Sequence, residues 1–196
     1  EVVNPHLLPD STQALYWLCI ANIHSNLHQS LSEDSMICWS ADFYRNAWQN
    51  ATLNERTSLL TKRMMKAQIL KVFYYWWINE KETAYQYLED VQLIAQETND
   101  SCWIMMPFRL ALQISLSDHD FQHVREYGEA LLNSDSKNAI HSDEIVTVYN
   151  GIAVACYNLG DYDAMEKYFE QAIQSAQTER DTLIVQTIVR RNYADL

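Results

Sequence analysis

Two pairs of histidines have a spacing that could place both imidazoles on one metal ion. His24 and His28 lie four residues apart, as do His119 and His123, so each pair would share one face of a helix. A zincin motif would require Glu at position 25, where the sequence has Ser25, and no third ligand lies at a fixed spacing. We therefore expect no metal site, and we expect these histidines to be solvated or to cap helices.

The aromatic run at residues 73–77 could form a cage around a ligand. Its sequence, Phe-Tyr-Tyr-Trp-Trp, covers more than one face of a helix. Some of the rings must therefore be buried between helices, while others can reach a groove or a partner. Core packing is the favoured interpretation, and ligand binding is the alternative.

The sequence contains no recognisable catalytic motif. It has no Gly-rich phosphate loop, no G-x-S-x-G nucleophile elbow, and no Ser or Cys nucleophile paired with His in a familiar context. The acidic pairs Asp118/Asp120 and Asp161/Asp163 fall at expected helix starts, where carboxylates complement the helix dipole. We expect a protein that is not an enzyme and that uses no cofactor.

The composition limits the partners and the compartment. The 196 residues carry a net charge of −12, and no stripe of Lys and Arg is evident, so we expect this segment not to bind nucleic acid. No run approaches the roughly 18 apolar residues of a membrane span. The four cysteines lie far apart within apolar stretches, so we expect small buried thiols that stay reduced in a cytoplasmic protein.

Residues 148–173 form the clearest structural unit in the sequence. Apolar side chains recur at steps of three and four between residues 162 and 176, which predicts one face of a helix. Gly160 is expected to end the preceding helix in a left-handed conformation, and Asp161 to cap the next helix. The unit is therefore predicted to be a helix hairpin.

This hairpin resembles a tetratricopeptide repeat. The matching positions are Tyr149, Ile152 and Ala153 in the first helix, Gly160-Asp161-Tyr162 in the turn, and Phe169 and Ala172 in the second helix. Met165 stands where the family prefers a small residue, and Cys156 stands where it prefers an aromatic residue. The two departures look compensatory, because one site grows where the other shrinks.

Weaker copies of the pattern precede this unit and predict an all-α protein. We expect four antiparallel helix pairs, over residues 11–51, 55–97, 100–134 and 142–178, and a last helix over residues 181–195. Together they would form one domain, residues 1–196, with the architecture of a tetratricopeptide-like α-solenoid in a right-handed superhelix. Asn79-Glu80-Lys81-Glu82 looks like a capping box, and Pro107 must kink its helix or mark a late start.

The first helix of the last pair is predicted to present a ligand-binding face. Its packed side is Tyr149, Ile152, Ala153 and Cys156, and the offset positions should face the groove that first helices line. These positions are Thr147, Asn150, Val154, Tyr157 and Asn158. The Asn150 carboxamide can both donate to and accept from a peptide backbone, and the family resemblance implies that this position contacts the ligand. A solvated or helix-contacting asparagine is the alternative.

Three features together resemble the sensor domains of Rgg/PlcR-type peptide-responsive regulators of Gram-positive bacteria. They are the degenerate repeats of about 40 residues, the acidic composition and the Leu-Gly-Asp-Tyr sequence at residues 159–162. The resemblance implies a short peptide ligand, a homodimer, and a DNA-binding helix-turn-helix upstream of Glu1. A scaffold that holds a protein partner without a signalling ligand is the alternative.

The last helix is predicted to be apolar, with Leu183, Ile184, Val185, Ile188 and Val189. We expect it to pack on the last pair and to leave a patch for further chain or a second copy.

Overall fold

The described part of the protein is built from helices and turns. A computed structural model describes residues 4–98, 100–134, 140–176, 179–185 and 187, and no strand occurs among them. The elements are η1 (Pro5–Leu7), α1 (Asp10–Asn26), α2 (Met36–Asn50), α3 (Ser58–Trp77), α4 (Lys81–Thr98), α5 (Ser101–Ile104), α6 (Met106–Asp118), α7 (Phe121–Asn133), α8 (Ser142–Asn158), α9 (Tyr162–Gln174) and α10 (Glu179–Ile184). The prediction of an all-α fold is confirmed.

The chain divides into two compact units, Glu1–Ile94 and Ala95–Leu196. In the first unit, α2 packs against both α1 and α3, and α1 also contacts α3. In the second unit, α7 packs against α6 and α8, and α8 packs against α9. The predicted pair boundaries and the single domain stay predictions.

Left-handed residues end four of the helices. They are His28 after α1, Asn79 after α3, His119 after α6 and Gly160 after α8, with φ values of 54°, 64°, 57° and 77°. After α1, α3 and α8, the amide of the following residue donates to the carbonyl five residues earlier at 2.9 Å, which is the Schellman arrangement. The role predicted for Gly160 is confirmed. The interpretation of Asn79 as the start of a capping box is wrong, because its left-handed backbone belongs to the end of α3.

Buried polar side chains connect the helices of the first unit. The Ser40 hydroxyl of α2 donates to the Ala14 carbonyl of α1 at 2.9 Å, and the Gln68 amide of α3 donates to the Ala41 carbonyl of α2 at 2.8 Å. Both alanines are completely buried, and their small side chains let the neighbouring helix approach. The apolar stripe predicted for α2 is also buried, from Ile37 to Trp48.

Close contact between an aromatic ring and two glycines characterises the second unit. Pro107 lies in the first turn of α6, which confirms a late helix start at this proline. The neighbouring residue Phe108 packs against α8, where a Cβ added to Gly151 would lie 2.5 Å from the Phe108 ring. A Cβ on Gly128 of α7 would meet Ile152 at the same distance. The helices therefore pack more closely than alanine would allow.

The apolar cluster of the last helices consists of Val146, Ala153, Phe169, Ala172 and Val185, all buried. Ile184 packs against it, whereas Leu183 is 59% exposed. The predicted packing of the last helix on the last pair is therefore confirmed for its described part. Ile188 and Val189 lie outside the described residues, and the homodimer stays a prediction.

The cysteines differ from the expectation of four buried thiols. Cys156 is buried, Cys38 is half-buried, and Cys19 and Cys102 are exposed. The expectation is wrong for the last two because they lie on the outward sides of their helices. None of the described helices combines the length and apolar character needed to cross a lipid bilayer.

Candidate functional site

The four-residue spacing within each histidine pair is explained by the position of the pair at a helix end. His28 and His119 are the left-handed residues after α1 and α6. His24 Nδ1 lies 2.7 Å from Asp34 Oδ2, and His123 Nδ1 lies 2.8 Å from Asp120 Oδ2. Each pair thus contains one residue that terminates a helix and one that contacts a carboxylate. In the part of the chain that the structure describes, no three His, Cys, Asp or Glu side chains are grouped to hold a metal ion.

The residues predicted to contact a peptide lie along one face of α8, and none of them is buried. They are Thr147, Asn150, Val154, Tyr157 and Asn158. Thr147 Oγ1 donates to the Asp143 carbonyl at 2.9 Å, and Asn158 Nδ2 donates to the Val154 carbonyl at 2.8 Å. These two side chains therefore use hydrogen-bonding capacity within their own helix.

The other three residues of this face also make contacts inside the protein. Val154 packs against the apolar cluster, and the Tyr157 ring contacts the Tyr162 ring with centroids 5.9 Å apart. Asn150 is half-buried and has an interaction within the protein. Ligand binding by these side chains stays a prediction.

An open cleft lies between α7 and α9, and we call it the α7–α9 cleft. Its lining residues are Glu129, Leu132, Asn133, Tyr149, Lys167, Tyr168 and Gln171. Its volume is about 320 Å³, which is enough for a few side chains of a ligand. Helix α8 contributes one lining residue, Tyr149, which is half-buried and not fully packed as the sequence predicted.

A hydrogen-bonded network joins the two helices that line the α7–α9 cleft. Tyr168 OH donates to Glu129 Oε1 at 2.9 Å, and Arg125 Nε donates to the same oxygen at 2.9 Å. Arg125 Nη1 also donates to Asp161 Oδ2 at 2.8 Å. Burial and the bond to Glu129 raise the pKa of Tyr168 to about 12, so its hydroxyl remains a donor at neutral pH.

Asp161 has two roles at the start of α9. Its Oδ1 accepts a hydrogen bond from the Ala164 amide at 3.2 Å, which confirms the predicted N-cap. The bond from Arg125 and the Ala164 amide lower the pKa of Asp161. The carboxylate therefore links the cap of α9 to α7.

Other residues that line the cleft are polar side chains with unused hydrogen-bonding capacity. Asn133, Lys167 and Gln171 make no side-chain hydrogen bond or ion pair with any described residue. They lie beside the Tyr149 and Tyr168 rings, whose centroids are 6.3 Å apart. Two amides, one ammonium group and two rings together can bind backbone amides, a carboxylate and apolar side chains.

Comparison with known families identifies one segment of this region. Residues 146–179 match the family model described as Tetratricopeptide repeat. No curated protein and no solved structure matches the chain. The repeat contains α9 and most of α8, so it supplies four of the residues that line the cleft.

The tetratricopeptide repeat explains the packing of α8 on α9. Ile152, Ala153, Phe169 and Ala172 are completely buried, as the sequence predicted. The match and the helices together confirm an all-α, tetratricopeptide-like fold class, and such repeats are protein-interaction modules. The resemblance to Rgg/PlcR-type sensors is not confirmed by this match.

The sequence did not predict the α7–α9 cleft, because the resemblance to the repeat pointed to the first helices of the pairs as the binding surface. The available signal is weak: Glu129 and Asn133 are four residues apart on α7, as are Lys167 and Gln171 on α9. Such spacing places each pair on one helix face. Only the packing of the two helices brings these faces together.

Proposed function

We propose that the protein is a non-catalytic module that binds a short segment of another polypeptide, and that the α7–α9 cleft receives part of this segment. The observation that carries the proposal is the set of unpaired side chains in the cleft, Asn133, Lys167 and Gln171, beside the Tyr149 and Tyr168 rings. Side-chain amides can pair with an extended backbone irrespective of its sequence. The rings would add selectivity for an apolar side chain.

The two less exposed thiols are poorly suited to act as nucleophiles. Burial raises the pKa of Cys156 and of Cys38, which disfavours the thiolate form at neutral pH. A cysteine nucleophile requires the opposite shift. The proposal therefore assigns both thiols to packing.

Within this proposal, the sensor domain of a peptide-responsive regulator is the first specific role to test, and a scaffold is its alternative. The regulator would bind a short peptide and change its dimerisation. Light scattering with and without a selected peptide separates the roles, since a scaffold would keep the same mass. The exposed Leu183 marks a surface that a homodimer could bury.

Peptides selected from a displayed random library on the wild-type protein provide the probe for binding. We expect Gln171→Ala and Asn133→Ala to weaken the selected peptide by about 0.5 to 1.5 kcal/mol each in calorimetric titrations, the scale of one hydrogen bond. Gln174→Ala is the matched control, because Gln174 is exposed on the same helix and does not line the cleft.

Asn150→Ala distinguishes the cleft from the face of α8. Loss of affinity in Asn150→Ala, with wild-type affinity in Gln171→Ala and Asn133→Ala, would contradict the cleft and locate the ligand on α8. Thermal melts of all variants show whether a lost affinity reflects lost folding.

A further inference from the structure

The basic residues of this acidic protein are concentrated in one short region of the first unit. Residues 51–71 contain five of the 14 basic residues, Arg56, Lys62, Arg63, Lys66 and Lys71, and one of the 26 acidic residues, Glu55. Four of these cations belong to α3, which has no acidic residue of its own. The expectation of no basic stripe is therefore wrong for this helix.

Packing leaves only one side of α3 accessible. Its buried residues are Met64, Met65, Ala67, Gln68, Ile69, Leu70, Lys71 and Val72. The accessible side contains Lys62, Arg63 and Lys66 and continues to Phe73 and Trp77, at steps of three, four and seven residues. We call this side the α3 face. It is cationic in its first half and aromatic toward its end.

The buried lysine of α3 differs from the cations of the α3 face. Lys71 is 4% exposed, its Nζ lies 2.8 Å from Asp42 Oδ1, and the same Nζ lies 4.0 Å from the centre of the Tyr87 ring. Its charge is therefore matched by a carboxylate and a π system. Lys62, Arg63 and Lys66 form no hydrogen bond or ion pair within the described residues.

The unpaired cations are not all fully solvated. Lys62 is exposed, but Arg63 and Lys66 are half-buried. Burial lowers the pKa of Lys66, which means that its ammonium group loses hydration without gaining an anionic partner. A carboxylate at this position would restore the lost stabilisation.

A buried hydroxyl of α2 also lacks a partner. Tyr44 of α2 is 3% exposed, and its hydroxyl makes no hydrogen bond within the described part of the chain. Burial raises the pKa of Tyr44, and the charge of Arg63 acts in the opposite direction. Native proteins rarely leave such a group unsatisfied.

A further cation lies just before α3. The Arg56 guanidinium stacks 3.9 Å from the centre of the Trp48 ring, and its buried Nε has no hydrogen-bond partner. Unused donors on cationic side chains thus occur on Arg56 and on the α3 face. These guanidinium and ammonium groups favour an acceptor with negative charge.

We propose that the α3 face binds an acidic segment of a partner polypeptide, with carboxylates at Lys62, Arg63 and Lys66 and an apolar side chain near Phe73 and Trp77. Carboxylates spaced along a peptide match cations spaced along a helix. The protein's net charge of −12 opposes any polyanion, and it opposes a nucleic acid, with a phosphate at every nucleotide, more than a peptide with a few carboxylates. This site belongs to the first unit and is independent of the α7–α9 cleft.

Calorimetric titration with a short glutamate-rich peptide that contains one Trp tests this proposal. The same peptide with every Glu replaced by Gln, and a DNA duplex, are the comparison ligands. We expect the glutamate peptide alone to bind, and its affinity to fall as salt is raised, since added ions screen exposed pairs. Arg63→Gln and Lys66→Met should each weaken it about twofold to fivefold, and the triple variant with Lys62→Gln about tenfold or more.

Lys81→Gln is the charge-matched control. Lys81 is exposed in the first unit on α4, outside the α3 face, so its loss changes the net charge equally and should leave the affinity within twofold. Equal weakening by Lys81→Gln and Arg63→Gln would overturn the proposal, because the attraction would then be nonspecific. Equal binding of the glutamine peptide, preferred binding of DNA, or a growth in mass that shows a second copy at the site would also overturn it.

Discussion

Two helices of this protein, α3 and α8, present different chemistry on their accessible sides. Most of helix α8 lies within the segment that matches the tetratricopeptide repeat, and the helix carries Asp143 and Glu144 in its first turn but no Lys or Arg. Two of the polar side chains on its accessible face donate to backbone carbonyls of α8 itself. Helix α3 lies outside the matched segment, and its accessible side carries three cations without a partner among the described residues.

The difference shows that agreement with a repeat pattern and capacity to bind are separate properties. The repeat pattern records which side chains pack, and those of α8 and α9 pack as the family does. Binding requires side chains whose hydrogen bonds and charges are not already used. In this protein such groups lie on the α3 face and in the α7–α9 cleft.

The largest expected effect tests whether α8 is positioned by close packing. Gly151→Ala should lower the free energy of unfolding by about 1 to 3 kcal/mol, because the added methyl group would overlap the Phe108 ring. Urea unfolding followed by circular dichroism provides the measurement. Combining the change with Phe108→Leu should recover part of the loss, and strict additivity of the two changes would show that this contact does not position α8.

A smaller effect, of opposite sign, tests the unsatisfied hydroxyl beside α3. Tyr44→Phe should raise the free energy of unfolding by about 1 kcal/mol, since it removes a buried polar group that has no partner. Ser40→Ala is the control, because Ser40 lies on the same helix and its buried hydroxyl does donate to a carbonyl. Destabilisation by both substitutions would mean that the Tyr44 hydroxyl is satisfied in solution.

The smallest expected effect is on the stability of the folded protein at acidic pH, through Asp161 in the network beside the α7–α9 cleft. The pKa of Asp161 is lowered in the folded protein, so its contribution is present above the ordinary aspartate pKa of about 4 and is lost as pH falls through the lower, folded value. Melting temperatures measured between neutral and acidic pH should therefore fall less steeply for Asp161→Asn than for wild type. Parallel curves for the two proteins would contradict the ion pair with Arg125.

Local features of the fold could be predicted from the sequence because they depend on nearby residues. The left-handed Gly160, the Asp161 cap and the buried stripe of α2 each follow from neighbours within one or two turns. Asn79 shows the limit of such reasoning, because an asparagine can end one helix or begin the next. The choice depends on the backbone at the junction.

The candidate sites could not be predicted from the sequence because they depend on contacts between distant residues. Lys66 and Lys71 both lie in α3, and the sequence alone does not distinguish their environments. Lys71 forms an ion pair with Asp42 of another helix, whereas Lys66 contacts no carboxylate among the described residues. The two walls of the cleft come from α7 and α9, and the segment that separates them in sequence includes all of α8. Ion pairs between helices and clefts between helices form only when the helices pack against each other.

Chemical-shift mapping tests most directly the claim that binding capacity lies on the α3 face rather than on α8. Backbone amide spectra of the isotope-labelled protein would be recorded during titration with the glutamate-rich peptide. The account predicts saturable shifts concentrated in α3, and their loss in the Lys62, Arg63 and Lys66 triple variant. Shifts concentrated at residues 147–158, with α3 unchanged, would contradict it.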